Sequence, residues 1–107
     1  MVVSAPRQGE IWWAETPDDN GRPYLVVSRN EAIPVLRGIL VAPVTRTVRS
    51  IPTEVALGAD DGLPVECAAT FDNLRTLPRA LLVRRVGALD GTRRPDLCAA
   101  LRATADC

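Results

Sequence analysis

The sequence predicts a mainly β fold, a small curled barrel with one helix at its C-terminal end. Nine prolines and seven glycines are spread through the 107 residues and divide them into short apolar segments. Only the last segment has its apolar residues at helical spacing. Short strands separated by turn residues and followed by one helix are typical of such a barrel. The length suits one domain, residues 1–107, and leaves no room for two.

The first half of the chain contains three segments with strand character. "EIWWAE" (10–15) mixes apolar and aromatic residues, and the turn formers "TPDDNG" follow it. "YLVVS" (24–28) is nearly all apolar, as expected of a strand that is buried on both faces. "ILVAPVT" (39–45) is the third strand, in which Pro43 marks a bulge or an edge.

The second half adds further strands and the helix. "TEVAL" (53–57) alternates like a half-buried strand. "VECAATF" (65–71) and "LLVRRVGAL" (81–89) supply one or two more, with "LPRA" as a helical turn between them. "TRRPDLCAALRATA" predicts an amphipathic helix with Thr92 as N-cap and Pro95 in the first turn. We therefore expect five or six strands and a terminal helix.

Charge and residue types exclude several classes of function. The 13 basic residues are all arginine and balance 13 acidic ones, so any attraction to nucleic acid must come from a local basic patch. Histidine is absent, which removes the usual general base and zinc ligand. No apolar run approaches the ~18 residues of a membrane helix, and the start lacks a secretory signal. We expect a cytoplasmic protein that uses no metal or other cofactor.

Cysteines and paired acids are expected to have structural roles. Three cysteines are an odd number, and no two have the spacing of metal ligands. Cys67 and Cys98 are predicted to be buried, and Cys107 is a thiol in the tail. Asp60 and Asp61 lie in a loop flanked by glycines and are predicted to form a solvated turn.

Arg22 and Thr45 stand where a strand meets a loop. Pro23 biases Arg22 towards an extended conformation, and Thr45 ends the third strand. If the second and third strands pair antiparallel, Arg22 and Thr45 face each other across one rim of the barrel. A guanidinium group and a hydroxyl that converge there predict a phosphate site. The alternative is a solvated arginine and a threonine that only reflects β propensity.

Other polar and aromatic residues have more than one interpretation. Asp72 could be a base or an ion-pair partner close to Arg75, or simply a turn residue. Trp12 and Trp13 are adjacent, so in a strand they point to opposite faces. One is expected in the core, and the other is available for a partner, for base stacking or for edge packing.

Several stretches together resemble one protein family. "RQGEIWWAE", "GRPYLVVS", "ILVAPVTRT", "IPTEVAL", "FDNLRTL" and "VGAL" occur in this order over nearly the whole chain. The chain is similar in these stretches to the MazF/PemK (Kid) toxins of toxin–antitoxin modules. The resemblance implies an SH3-like (CcdB/PemK-like) barrel of about five to seven strands with a C-terminal α-helix, present as a homodimer.

The resemblance also implies an activity and partners. Such toxins are sequence-specific endoribonucleases that inhibit translation and growth, and a MazE-like antitoxin neutralises them with an acidic tail. They cleave single-stranded RNA without a metal, through attack of the 2′-OH on the adjacent phosphate. The products carry a 2′,3′-cyclic phosphate and a 5′-hydroxyl.

The family's site residues are implied here by position. Arg22 matches the catalytic arginine of the "RP" motif, Thr45 matches the catalytic threonine, and Asp72 matches an aspartate of Kid-type members. Thr70 stands where those members have an arginine. The residues expected to bind RNA are Ser28, Arg46, Arg49 and Arg75.

The reaction assigns different tasks to these residues. The fork of Arg22 matches two phosphate oxygens and suits stabilisation of the phosphorane charge. Thr45 can donate to a non-bridging oxygen. The general base stays open between Arg22, which resists deprotonation, and Asp72. The proton for the leaving oxygen comes from Arg22 or from water.

Two other functions stay open at this point. CcdB-like barrels poison DNA gyrase by protein contact through their C-terminal residues, but the tail "ATADC" has no aromatic residue for such a contact. A plain SH3-like adaptor would have no need for the paired Arg22 and Thr45.

Overall fold

The computed structural model describes residues 5–105, which form seven strands and one α-helix. The strands are β1 (Glu10–Thr16), β2 (Asp19–Val26), β3 (Gly38–Thr45), β4 (Glu54–Leu57), β5 (Cys67–Thr70), β6 (Arg75–Pro78) and β7 (Leu82–Ala88), and α1 is Arg94–Thr104. Within the described range, no helix is long and apolar enough to span a membrane.

The strands form one curled antiparallel sheet in the order β4-β5-β3-β2-β1-β7, with β6 also on β3. β3 is its centre, since it pairs with β2 along one side and with β6 and then β5 along the other. α1 packs against β4 and against the turn that follows β5. The predicted mainly β barrel with a C-terminal helix is confirmed.

Alternation along β1, β2 and β3 divides the core into two clusters. One contains Ile11 and Leu25 and extends to Phe71 and to Leu97 of α1. The other contains Trp12 and packs against the opposite face of the sheet. β2 therefore contributes buried side chains to both faces, which explains why its sequence is continuously apolar. As predicted, one of the two tryptophans belongs to the core: it is Trp12, whereas Trp13 is only half-buried.

The structure differs from the prediction at two strands, β2 and β6. The second strand begins at Asp19 and not at 24, because the turn after β1 takes only Pro17 and Asp18. β6 has no counterpart in the prediction, because it is four residues long and Leu77 is its only buried side chain. The predicted helical turn beside it is present as a 3₁₀ turn at Arg79–Leu81.

Of the two predictions for Pro43, the bulge was wrong, whereas an edge stretch is present on one side of the strand. Pro43 lies in the central strand and pairs with Tyr24 of β2 without a bulge. On the other side, β3 pairs with β6 as far as Val41 and with β5 from Val44 onwards. Pro43 therefore occupies the short stretch at which β3 changes partner, and there is no ladder to interrupt on that side.

Thr92 is not the N-cap of α1. It lies in a 3₁₀ turn, Gly91–Arg93, that precedes the helix, and Asp90 caps this turn by accepting from the Thr92 backbone N–H at 2.9 Å. This hydrogen bond lowers the pKa of Asp90, and a second one from the Thr92 hydroxyl lowers it further by a smaller amount. Pro95 lies in the first turn of α1, as predicted.

Two burial predictions were also wrong. Cys98 is exposed on α1, whereas Cys67 is buried as expected and Cys107 lies outside the described residues. Asp61 is buried beside exposed Asp60, because its carboxylate accepts from the Gly58 N–H at 2.9 Å and lies 3.5 Å from Arg93. A charged side chain of this kind is buried when such partners replace water.

Gly87 provides a test of how β7 packs against this acidic turn. A Cβ at Gly87 would lie 1.9 Å from the backbone oxygen of Asp61, whereas one at Gly91 would meet nothing within 4 Å. We expect Gly87→Ala to lower the free energy of unfolding in urea by about 1–3 kcal/mol. Gly91→Ala should change it by less than about 0.5 kcal/mol. Equal stability of the two variants would show that the close backbone approach is absent.

Candidate active site

The pairing of β2 with β3 brings Arg22 and Thr45 to one rim of the barrel. Tyr24 pairs with Pro43, and the next pairs follow in antiparallel register. The same register, continued by two residues towards the rim, sets Arg22 opposite Thr45. Both residues line a cavity of about 560 Å³ at this rim. We call it the rim cavity.

Arg22 is held at the rim cavity by Asp19, which also lines it. The Nε atom of Arg22 lies 3.0 Å from Oδ2 of Asp19. The other oxygen of Asp19 accepts from the Gly21 N–H at 3.1 Å. Because Asp19 engages the Nε atom, the two terminal amino groups of Arg22 keep their donors for a ligand. The side chain of Arg22 is 44% exposed, so solvent and ligands reach it.

The contact of Asp19 with Arg22 was not predicted from the sequence. The segment "TPDDNG" has the pattern of a turn, whereas Asp19 is the first residue of β2 and lies three residues before Arg22. The contact could have been predicted from the order Asp-Asn-Gly-Arg, because a tight turn at Asn-Gly brings the side chains on either side of it close together.

The hydroxyl of Thr45 is oriented by its own loop. Oγ1 of Thr45 accepts from the Thr47 N–H at 3.1 Å. A hydroxyl that accepts in this way still has its proton to donate. Thr45 is half-buried at the end of β3 and can direct that proton to an acceptor in the rim cavity.

The loop after Thr45 is fixed from its far end. Oε1 of Glu54 accepts from the N–H groups of Arg49 and Ser50, at 2.9 and 3.1 Å. Ser50 adopts a φ of 54°, a left-handed conformation that is uncommon for residues other than glycine. Arg46 of this loop lines the rim cavity, whereas Arg49 lies farther along the loop, outside the lining.

The rim cavity has a charged side and an apolar side. Three arginines, Arg22, Arg46 and Arg84, line it together with one acid, Asp19. The apolar lining residues include Val44, Leu63, Pro64, Val65, Cys67 and Val86. An excess of guanidinium groups beside an apolar surface fits an anion that carries a flat or apolar group, as a nucleotide does.

Asp72 and Ser28 lie away from the rim cavity. Asp72 is exposed, and its carboxylate accepts from the hydroxyl of Thr53 at 2.7 Å. Ser28 follows the end of β2 that is opposite to Arg22, and its hydroxyl accepts from the Leu40 N–H at 2.8 Å. Neither residue is among those that line the rim cavity.

Arg75 and Thr70 are also outside the lining. Arg75 of β6 lies 3.6 Å from Asp18 in the turn after β1. The pKa of Asp18 is lowered, most strongly by the hydrogen bond from the Thr16 hydroxyl. The backbone of Asp18 and the charge of Arg75 lower it by smaller amounts. Thr70 is buried, and its hydroxyl has no hydrogen-bond partner among residues 5–105. In the same range no three His, Cys, Asp or Glu side chains are grouped to hold a metal ion.

The two described cysteines should differ strongly in reactivity. Burial, and secondarily the charge of Asp61, raises the pKa of Cys67, while Cys98 is exposed. In a Cys107→Ser variant at pH 8, we expect iodoacetamide to label Cys98 at least ~10-fold faster than Cys67, because the thiolate is the reactive form. Peptide mass spectrometry over time measures both rates. Equal rates would contradict the buried position of Cys67.

Comparison with known proteins agrees with the fold and with these motifs. Residues 7–104 match the family model described as PemK-like, MazF-like toxin of type II toxin-antitoxin system. The chain is 39% identical over 107 residues to the probable endoribonuclease MazF5 of Mycobacterium tuberculosis, with 99% of this chain and 98% of that protein covered.

Solved structures show the same similarity. The M. tuberculosis toxin MazF-mt6 superposes with a TM-score of 0.83 at 35% identity, over 91% of this chain and 96% of that one. A mycobacterial endoribonuclease in complex with its cognate antitoxin gives a TM-score of 0.82 at 27% identity, with 94% of each chain covered. The chain therefore belongs to the PemK-like, MazF-like toxin family of type II toxin–antitoxin systems.

Proposed function

We propose that this protein is an endoribonuclease toxin and that the rim cavity is its active site. The observation that carries the proposal is that Arg22 and Thr45, from two separate motifs, line one cavity with two further arginines. Relatives that match nearly the whole chain are named endoribonucleases, which supports the same activity here. They give no support to the alternative of a gyrase poison.

Arg22 stabilises the charge of the transition state. Its terminal amino groups form a fork that matches two oxygens of the scissile phosphate. Asp19 holds the guanidinium group through Nε before substrate arrives, so little reorganisation is needed during the reaction. By this contact Asp19 positions Arg22, in addition to the role of general base that is proposed for it below.

Thr45 orients the phosphate for attack. Its hydroxyl oxygen accepts from the Thr47 N–H and keeps its proton, which it donates to a non-bridging phosphate oxygen. A phosphate held between Arg22 and Thr45 is fixed in line with the neighbouring 2′-OH. Arg46, from the loop fixed by Glu54, extends the cationic surface along the RNA backbone.

The general base is proposed to be Asp19 rather than Asp72. Asp19 is the only carboxylate among the described residues that line the rim cavity. Asp72 contacts Thr53 at the start of the β4 segment and supports that region instead. The leaving 5′-oxygen receives its proton from Arg22 or from water, and the products are a 2′,3′-cyclic phosphate and a 5′-hydroxyl.

The partners follow from the charge of the site. A rim with three arginines and one acid fits RNA and equally fits an acidic segment of a cognate, MazE-like antitoxin. One solved relative is in complex with its cognate antitoxin. We further propose a homodimer, and a cytoplasmic location where RNA substrate and antitoxin are both present.

Cleavage of a single-stranded RNA in EDTA tests this function. The purified protein should cut it without added metal, and mass spectrometry should find 2′,3′-cyclic phosphate and 5′-hydroxyl ends. A 2′-deoxy substitution at the cut nucleotide should abolish the reaction, since the nucleophile is removed. Cleavage that requires a divalent metal or leaves 5′-phosphate ends would contradict the proposal. A supercoiling assay run in parallel tests the gyrase alternative.

A further inference from the structure

Trp13 and Arg84 form a stacked pair inside the rim cavity. They are cross-strand partners, Trp13 on β1 and Arg84 on β7. The guanidinium carbon of Arg84 lies over the indole ring, 5.4 Å from its centroid. Both residues line the same cavity as Arg22 and Thr45.

The indole of Trp13 is fixed by the turn that precedes Arg22. A Cβ at Gly21 would lie 2.5 Å from the Trp13 ring, so the Gly21 backbone packs closely against it. Gly21 also has a φ of 131°, which other residues rarely adopt. The stacked pair and Arg22 are therefore positioned by the same short segment of β2.

The guanidinium group of Arg84 is available to a ligand. Arg84 is exposed to solvent, and no carboxylate of residues 5–105 lies within ion-pair distance of it. An arginine fixed on an aromatic ring has lost part of its side-chain freedom before binding, so contact with a ligand costs less entropy. Nucleobases stack on such guanidinium planes and on aromatic rings in single-stranded RNA complexes.

We propose that Trp13 and Arg84 form a base-binding subsite of the rim cavity. The nucleobase beside the scissile phosphate stacks on one face of the Arg84 guanidinium group, and the indole ring of Trp13 contacts the other face. The subsite contributes to the choice of RNA sequence by favouring bases that stack well there. This inference rests on the proposed function, because it needs the phosphate at Arg22 and Thr45.

Arg85 offers a matched control on the same strand. It follows Arg84 directly and points to the other face of β7, where it pairs with buried Trp12 in the register. Its Nη1 atom lies 3.5 Å from Glu10, and it does not line the rim cavity. Arg85→Ala therefore removes the same charge without touching the subsite.

The first test uses RNA that carries 2′-deoxyribose at the cut nucleotide, so that it binds without being cleaved. The fluorescent base 2-aminopurine replaces one nucleotide at a time around the scissile phosphate. We expect quenching at one position with the wild type and with Arg85→Ala. Arg84→Ala should show no quenching at that position, and its affinity for the RNA should be at least ~5-fold lower. Arg84→Lys keeps the charge but not the planar group, so it should lose the quenching as well.

The second test compares cut sites in a randomised RNA pool. Arg84→Ala should flatten the base preference at that one position and leave other positions unchanged. If Arg84→Lys restores both quenching and preference, Arg84 contacts only phosphate and the subsite is refuted. If Arg84→Ala keeps both while Arg22→Ala abolishes cleavage, the subsite alone is refuted. A wild type that cuts no RNA overturns the proposed function and the subsite together.

Discussion

Arg22→Ala is expected to reduce the rate of RNA cleavage at least ~100-fold, as for the loss of one preorganised donor to the transition state. The guanidinium group is held by Asp19 at 3.0 Å and lines the rim cavity. Arg22→Lys keeps a positive charge but loses the fork, so it should recover only part of the rate. Single-turnover cleavage of an RNA oligonucleotide measures all three proteins.

The controls for Arg22 separate chemistry from stability. The ion pair with Asp19 is partly exposed and contributes at most ~1 kcal/mol to stability, so Arg22→Ala should fold normally. Arg102→Ala removes an exposed arginine on α1 that does not line the rim cavity, and it should cleave like the wild type. Wild-type cleavage by a folded Arg22→Ala variant would rule out this residue as the phosphate-binding group.

Thr45→Ala should have an effect of similar size, a loss of at least ~100-fold in the same assay. The substitution removes the proton that is directed at the phosphate, and it also removes the acceptor of the Thr47 N–H. Thr45→Ser restores both, so it should stay within ~10-fold of the wild type. Thr45→Val keeps the β-branched shape without the hydroxyl, so it should behave like the alanine variant. Full activity of Thr45→Val would contradict a role for the hydroxyl.

The parts of the fold that local pattern determines could be predicted from the sequence. Short runs of apolar, aromatic and β-branched residues located β1, β2 and β3, and helical spacing located α1. β6 could not be found in this way, because Arg75, Thr76 and Pro78 give no strand pattern. Its pairing with β3 is a long-range contact, which overrides weak local propensity.

The site was predictable to the extent that motifs mark it. Arg22 and Thr45 stand next to "RP" and "APVT" motifs, and the antiparallel pairing of their strands brings them to one rim. No motif marks Arg84. Its place beside Trp13 depends on the pairing of β7 with β1, two strands that are about seventy residues apart in the sequence. Asp72 was predicted from its closeness to Arg75 in the sequence and from the resemblance; it does not line the rim cavity, so the general base is proposed to be Asp19 instead.

The central claim is that the rim cavity built by Arg22 and Thr45 cleaves cellular RNA. Sequencing of RNA molecules with 5′-hydroxyl ends, after induced expression in bacteria, tests it most directly and also gives the cut motif. We predict new 5′-hydroxyl ends at one recurrent short motif with the wild type, and none with Arg22→Ala or Thr45→Ala at equal protein levels. An identical set of ends from the wild type and both variants would contradict the account.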